Sequence, residues 1–154
     1  MSSDFWERQK EQHLYEITSF GGAFIYLLAA LIFLILKNYP AFERLLLGIA
    51  LIYAAVLLIK MFYFKDRPKK YSRHNFIEMI DASSFPSVHS ARSAFLALFL
   101  MKYFNNLSIS VLLAFLVVMV AYSRVYFKKH DLKDVSAGIV LGILAYFALK
   151  FFVG

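Results

Sequence analysis

Three polar groupings stand at the ends of apolar runs. Lys60 is followed after six residues by Arg67-Pro68, Pro86-Ser87-Val88-His89 forms an unbroken tetrad, and Ser123-Arg124 leads after five residues to His130 and after three more to Asp134. Cations, hydroxyls, imidazoles and a carboxylate in this order can hold a tetrahedral oxyanion and attack its centre. An arginine matches phosphate oxygens as a planar fork, and a lysine acts on them as a point charge. His130 and Asp134 lie four residues apart, which on a helix would put them on one face. The carboxylate would then hold one ring N–H and leave the other nitrogen to act as a nucleophile.

Each residue also has a plainer reading. Lys60, one turn inside an apolar run, could extend its ammonium to the membrane surface. Arg67 and Arg124 taken singly are ordinary interface arginines. Pro86-Ser87 reads as a helix start, because proline suits the first turn. The amides of Ser87, Val88 and His89 would then face outward as an anion site, unless Ser87 merely caps the helix. His89 could be buried and satisfied, and Arg92 has no assigned role. His13 and His74 match no pattern and read as solvated.

The surrounding chain is a membrane chain. It has 154 residues, 61% of them hydrophobic, with a mean hydropathy of +0.64. A soluble domain of this length could not cover so much apolar surface. A helix needs about 20 apolar residues to cross a bilayer. Five runs qualify or nearly so: Ile17–Leu36, Arg44–Phe64, Ser87–Phe104, Leu107–Tyr126 and Asp134–Phe152. Backbone groups must be paired inside lipid, so these runs should be helices, and no alternating β-barrel pattern is present. Residues 4–16 read as an amphipathic helix at the interface, with Phe5, Trp6, Leu14 and Ile17 on one face and Arg8, Lys10 and Glu11 toward water. Asp4 and Glu7 resemble a capping box. This start does not look like a cleaved signal peptide. The expected fold is therefore all-α: one membrane-embedded domain over residues 1–154, with five transmembrane helices and an N-terminal interfacial helix.

Counting spans brings the three groupings together. With helices running alternately up and down, Lys60, Arg67, Ser87, His89, Arg124, His130 and Asp134 all fall on one membrane face. Gly138 and Gly142 are spaced for close helix packing. The chain has no cysteine and a formal net charge of +7. In a membrane setting this charge favours anionic headgroups or phosphates over nucleic acid as partners.

The three groupings resemble the signature of the type 2 phosphatidic acid phosphatase superfamily of integral membrane lipid phosphatases. That signature reads K-x6-R-P, P-S-G-H and S-R-x5-H-x3-D. The chain departs from it at one position, where Val88 replaces the glycine. A valine fits there if position 88 lies in the first helical turn. The family core commonly has six spans where this chain shows five. The resemblance implies a phosphohistidine on His130, with Asp134 orienting that ring. His89 would protonate the leaving group and then activate water. Lys60, Arg67, Ser87, Val88 and Arg124 would bind phosphate oxygens through side chains or amides. It implies no cofactor and no metal, since fixed cations can stabilise the transferring group.

The substrate class implied is a lipid phosphate or pyrophosphate, with inorganic phosphate as product. Undecaprenyl pyrophosphate, phosphatidylglycerophosphate, lipid A 1-phosphate and phosphatidic acid are candidates. Lys65, Lys69, Lys70 and Arg73 in the long connection could read a second anionic group or lie among headgroups. The positive-inside rule points the site toward the cytoplasm. The resemblance points to the extracytoplasmic, periplasmic face, which is the expectation adopted here. Rival readings are a lipid phosphotransferase with the same intermediate, an anion conductor lined by Lys60 and Arg92, and a structural protein binding anionic lipid. Conduction would require polar residues along the span interiors, and the first and fourth runs have almost none.

Overall fold

A computed structural model describes residues 3–66 and 83–153, without the side chains of residues 3–8, 10 and 153. Arg67-Pro68, together with Lys69, Lys70, Arg73 and His74, lies outside the described residues. The described chain is all helical: α1 (Ser3–Thr18), a 3-10 turn (Ser19–Gly21), α2 (Ala23–Ile35), α3 (Tyr39–Phe62), α4 (Val88–Phe104), α5 (Leu107–Tyr126) and α6 (Leu132–Val153).

Among these, Tyr39–Phe62, Leu107–Tyr126 and Leu132–Phe152 are long and apolar enough to cross a membrane. The first expected run, Ile17–Leu36, is not one uninterrupted helix. Ile17 and Thr18 belong to α1, the 3-10 turn follows, Gly22 is extended, and α2 starts at Ala23. The two helical parts are bent by 49° and together could form a fourth span. Two consecutive glycines favour such a break, since glycine loses the most backbone freedom in a helix. The break has a consequence for the site, because it leaves the Gly21 carbonyl to accept from Arg92 Nε at 3.0 Å.

The other boundaries follow local chemistry. Asn38 caps α3 by accepting from the Ala41 N–H at 3.2 Å, and Pro40 occupies the first turn, so α3 starts earlier than the expected Arg44. Asn105 adopts the left-handed conformation that ends α4, and Asn106 then caps α5 through the Ile109 N–H at 3.1 Å.

α4 is the central helix. It packs most extensively on α6 and then on α5. Its 17 residues span roughly 25 Å, somewhat less than a hydrocarbon core. Nearly every side chain from Ser90 to Phe99 is buried. Arg92, only 4% exposed, is therefore surrounded by protein rather than lipid. The core joins Tyr26, Phe33, Leu45, Ile52, Phe95 and Phe99 from α2, α3 and α4. The Tyr26 hydroxyl donates to the Leu45 carbonyl at 3.0 Å, which satisfies a buried phenol.

The α4–α6 contact depends on the two glycines of α6. A Cβ at Gly138 would collide with the Ser87 carbonyl, and one at Gly142 with the Ala91 carbonyl. The G-x-x-x-G spacing is thus a packing device inside the bundle. Gly142→Val should lower stability by about 1–3 kcal/mol through overpacking, read as a fall in the thermal midpoint of the purified protein. An unchanged midpoint would show that the backbones do not need this approach.

Candidate active site

Four stretches far apart in sequence close one cavity of about 300 Å³. Tyr53 and Lys60 come from α3, seven residues apart and so on one helix face. Pro86, Val88, His89 and Arg92 come from the start of α4, Arg124 from the last turn of α5, and His130 from the loop before α6. The bundle therefore brings Lys60, Val88, His89, Arg124 and His130 together. The place of Arg67 lies outside the described residues.

Val88 is the first residue of α4 and has no positive φ. Valine therefore stands in ordinary helical backbone where the resembling signature has glycine. Ser87 departs from the expected role. It is fully buried and is not part of the cavity wall. Its Oγ accepts from the Ser90 N–H at 3.4 Å and from the Ser90 hydroxyl at 3.1 Å. Its own N–H donates to the Asp134 carbonyl at 3.0 Å and so does not face a ligand. Ser87 is a helix cap, and its amide ties α4 to α6. The peptide bond between Phe85 and Pro86 is cis.

His130 precedes α6 instead of standing on it. Helical i,i+4 spacing is therefore not what brings it near Asp134. A turn at the end of α5 does so, with the Arg124 carbonyl accepting from the N–H groups of both Lys129 (3.1 Å) and His130 (3.2 Å). Lys128 takes a positive φ of 53° to make the reversal. The nucleophile candidate is thus held to the backbone of an adjacent cationic residue.

Asp134 is fully buried, and its Oδ2 lies 3.7 Å from His130 Nδ1, an electrostatic contact longer than a hydrogen bond. The expected hydrogen bond to the imidazole is therefore not formed in this conformation. Other groups fix the carboxylate instead. Lys65 Nζ donates to Asp134 Oδ1 at 2.7 Å and to Asp131 Oδ2 at 2.5 Å. The Asp131 N–H donates to Asp134 Oδ2 at 3.1 Å, and the Asp134 N–H donates to Asp131 Oδ1 at 3.0 Å. Asp131 and Asp134 thus form a reciprocal cap at the start of α6, with aspartate in the place more often held by glutamate.

Asp131 and Tyr53 are absent from the sequence reading, and Arg92 and Lys65 take roles that it does not assign. Asp131 carried a readable signal, the D-x-x-D spacing just before an apolar run. Arg92 lies three residues after His89, on the same helical face, and its guanidinium donates to the Tyr53 hydroxyl at 2.5 Å. Lys65 belongs to no pattern. Its placement depends on Ser83 and Ser84, since the Lys65 N–H donates to Ser83 Oγ at 3.3 Å and its carbonyl accepts from the Ser84 N–H at 2.8 Å.

Electrostatics favour the charged pair at neutral pH. Burial alone would lower the Lys65 pKa, but its hydrogen bonds to Asp131 and Asp134, with their charges, together hold it above the ordinary value. Burial would likewise raise Asp131, yet the Lys65 hydrogen bond, the backbone amides and the Lys65 charge hold it below the usual carboxylate range. A carboxylate with a depressed pKa contributes stability above its unfolded value and loses it as pH falls. Lys65→Met should therefore lower the thermal midpoint at neutral pH. The gap from wild type should narrow as pH falls below about 4, where the acid protonates. Melting curves across pH check this, and a gap independent of pH would remove the ion pair from the account.

Comparison with known proteins agrees with this arrangement. The PAP2 superfamily profile matches residues 41–153. Phosphatidylglycerophosphatase B of Bacillus subtilis (strain 168) is 35% identical over 91 residues, a stretch covering 52% of this chain and 45% of that protein. The match thus spans less than half the length of that relative. The crystal structure of Aquifex aeolicus LpxE superposes with a TM-score of 0.77 at 21% identity, covering 94% of this chain and 87% of that one, and supports the fold. That of the PAP2 type phosphatidylglycerolphosphate phosphatase from Bacillus subtilis gives a TM-score of 0.73 at 25% identity, covering 94% and 77%. With the profile covering most of the chain and a cavity assembled from the same signature residues, this protein belongs to the PAP2 superfamily.

Proposed function

We propose that the chain is an integral membrane phosphatase that hydrolyses a lipid phosphate monoester or pyrophosphate through a phosphohistidine. One observation carries the reading: Lys60, His89, Arg124 and His130 share a single cavity although α3, α4 and α5 separate them in sequence. Its similarity to a phosphatidylglycerophosphatase of Bacillus subtilis supports the substrate class.

The reaction proceeds in two displacements. His130, with Nδ1 toward Asp134, attacks phosphorus through Nε2. The bond from phosphorus to the lipid oxygen breaks in line, and His89 delivers a proton to that oxygen. His89 then takes a proton from water, which attacks the phosphohistidine and releases inorganic phosphate. Lys60 and Arg124, together with Arg67, hold the equatorial oxygens. Val88 contributes its amide at the start of α4. Charge stabilisation by fixed cations supplies what a metal would otherwise supply, so no metal enters the scheme. Lys65 and the Asp131 amide hold the Asp134 carboxylate in place behind His130.

The membrane reading is five crossings, with the bent α1–α2 pair as the first and α4 shielded at the centre. The interfacial part of α1 lies before the bend. The whole chain is one domain, and the lipid tails remain in the bilayer while the headgroup reaches the cavity. Phosphatidylglycerophosphate leads the substrate panel, followed by undecaprenyl pyrophosphate, lipid A 1-phosphate and phosphatidic acid.

Phosphate release from this panel tests the reading. His130→Ala should lose at least about a thousandfold in kcat, while excess chelator leaves the wild-type rate unchanged. An active His130→Ala protein would remove the nucleophile, and inactivation by chelator would require a metal. The site faces the extracytoplasmic side on this reading. The chain has no cysteine, so Lys133→Cys at the exposed start of α6 provides a single reporter. A membrane-impermeant maleimide should label it in intact cells, and labelling only after lysis would place the site on the cytoplasmic side.

A further inference from the structure

Arg92 is buried and lines the catalytic cavity, yet no step of the reaction above uses it. Its Nε donates to the Gly21 carbonyl at 3.0 Å and its Nη1 to the Tyr53 hydroxyl. Both acceptors are neutral. An uncharged amide could donate to the same two oxygens, so they explain its N–H groups and not its charge. Among the described residues no carboxylate pairs with Arg92. Lys65, by contrast, holds both Asp131 and Asp134. The Tyr53 ring, with its centroid 5.6 Å from the guanidinium carbon, adds a cation–π contact. That attraction is smaller than the cost of taking an ion out of water. A guanidinium also carries more N–H donors than two acceptors occupy. A buried cation on a cavity wall, with donors to spare and no counter-ion, suits an anion that arrives with the substrate.

The position of Arg92 selects that anion. α3 ends and α4 begins at the face where His130 stands. Lys60 and His89 lie near those two ends, beside Arg124 and His130. Tyr53 is seven residues before Lys60, about 10 Å along α3, and Arg92 is three residues after His89, about 4–5 Å along α4. The cavity therefore has an outer level for the transferred phosphoryl group and an inner level made by Arg92 and Tyr53. Tyr53 is 45% exposed, so the inner level reaches the outer surface of the bundle. The tails of a bound lipid stay in the bilayer, and the part of its headgroup nearest those tails meets the inner level.

We propose that Arg92 binds a second phosphate, the one between the scissile bond and the lipid tails. The enzyme then prefers lipids with two phosphates to lipids with one. The tail-proximal phosphate of a lipid pyrophosphate and the phosphodiester of phosphatidylglycerophosphate share this chemistry. The inference rests on the phosphatase reading above and names its substrate class.

The test is kcat/KM from initial rates of phosphate release on two matched pairs. One pair is farnesyl pyrophosphate and farnesyl phosphate, and the other is phosphatidylglycerophosphate and phosphatidic acid with the same acyl chains. Arg92→Gln should lower the two-phosphate to one-phosphate ratio by about tenfold in at least one pair, the effect of losing a charge-assisted contact. The pair that responds identifies which lipid supplies the second phosphate. Arg92→Lys keeps the charge and should recover part of the ratio. Tyr26→Phe removes a buried hydrogen bond away from the cavity and should leave the ratio unchanged. A purely structural Arg92 would lower activity on both members of each pair alike. That result, a ratio not recovered by lysine, or an equal shift with Tyr26→Phe would overturn the proposal. Should the Arg92 variants fail to fold, the wild type carries the test. Methylenediphosphonate should then inhibit it at concentrations about tenfold below orthophosphate, and equal inhibition would overturn the second phosphate site. No release from any of the four lipids would instead overturn the phosphatase reading itself.

Discussion

The Asp134 carboxylate is the point at which the site is held together. It is fully buried at the start of α6, and a buried charge is tolerated only when paired and hydrogen-bonded. Its partners come from three places: Lys65 after α3, the Asp131 amide before α6, and His130 at electrostatic distance. Its backbone carbonyl also takes the Ser87 N–H and so fixes the start of α4. One residue therefore sets the relation between the imidazole of His130 and the helix that carries His89. Replacing its side chain would leave Lys65 with Asp131 alone and remove the acceptor of the Asp131 N–H, while the backbone contact to the start of α4 would remain.

The helix bundle serves this arrangement by keeping cations out of lipid. α4 is short, central and buried, so Arg92 meets the Gly21 carbonyl and the Tyr53 hydroxyl and not hydrocarbon. The break at Gly21–Gly22 makes that contact possible. It also brings Thr18 within 3.4 Å of the Arg124 guanidinium. The end of the N-terminal helix thus packs behind Arg124 in the cavity wall. Gly138 and Gly142 let α6 approach closely enough for Asp134 to reach α4.

Much of this was legible in the sequence because apolar run length and polar punctuation are strong signals. α5 has the expected bounds, and α4 differs by one residue. The convergence of Lys60, His89, Arg124 and His130 followed from counting crossings. The misreadings have specific causes. Ile17–Leu36 is uniformly apolar, so hydropathy does not register a bend made by two glycines. His130 and Asp134 are four apart, but the helix begins between them, at Leu132, and spacing alone does not locate a boundary. Ser87 has the chemistry for either a cap or a ligand, and the Asp134 carbonyl that settles its amide is 47 residues away. Lys65 reads from sequence as a cation for headgroups or a second anionic group, because its reach to Asp134 depends on hydrogen bonds to Ser83 and Ser84 across the long connection.

The central claim is that an imidazole at position 130 bonds covalently to phosphorus during turnover. Rapid quenching of the wild-type protein with phosphatidylglycerophosphate, followed by peptide mapping under alkaline conditions, tests it most directly. The account predicts a phosphate on His130 that is stable to base and lost in acid. Phosphorylation of His89 instead, or turnover with no phosphoenzyme at any quench time, would contradict it.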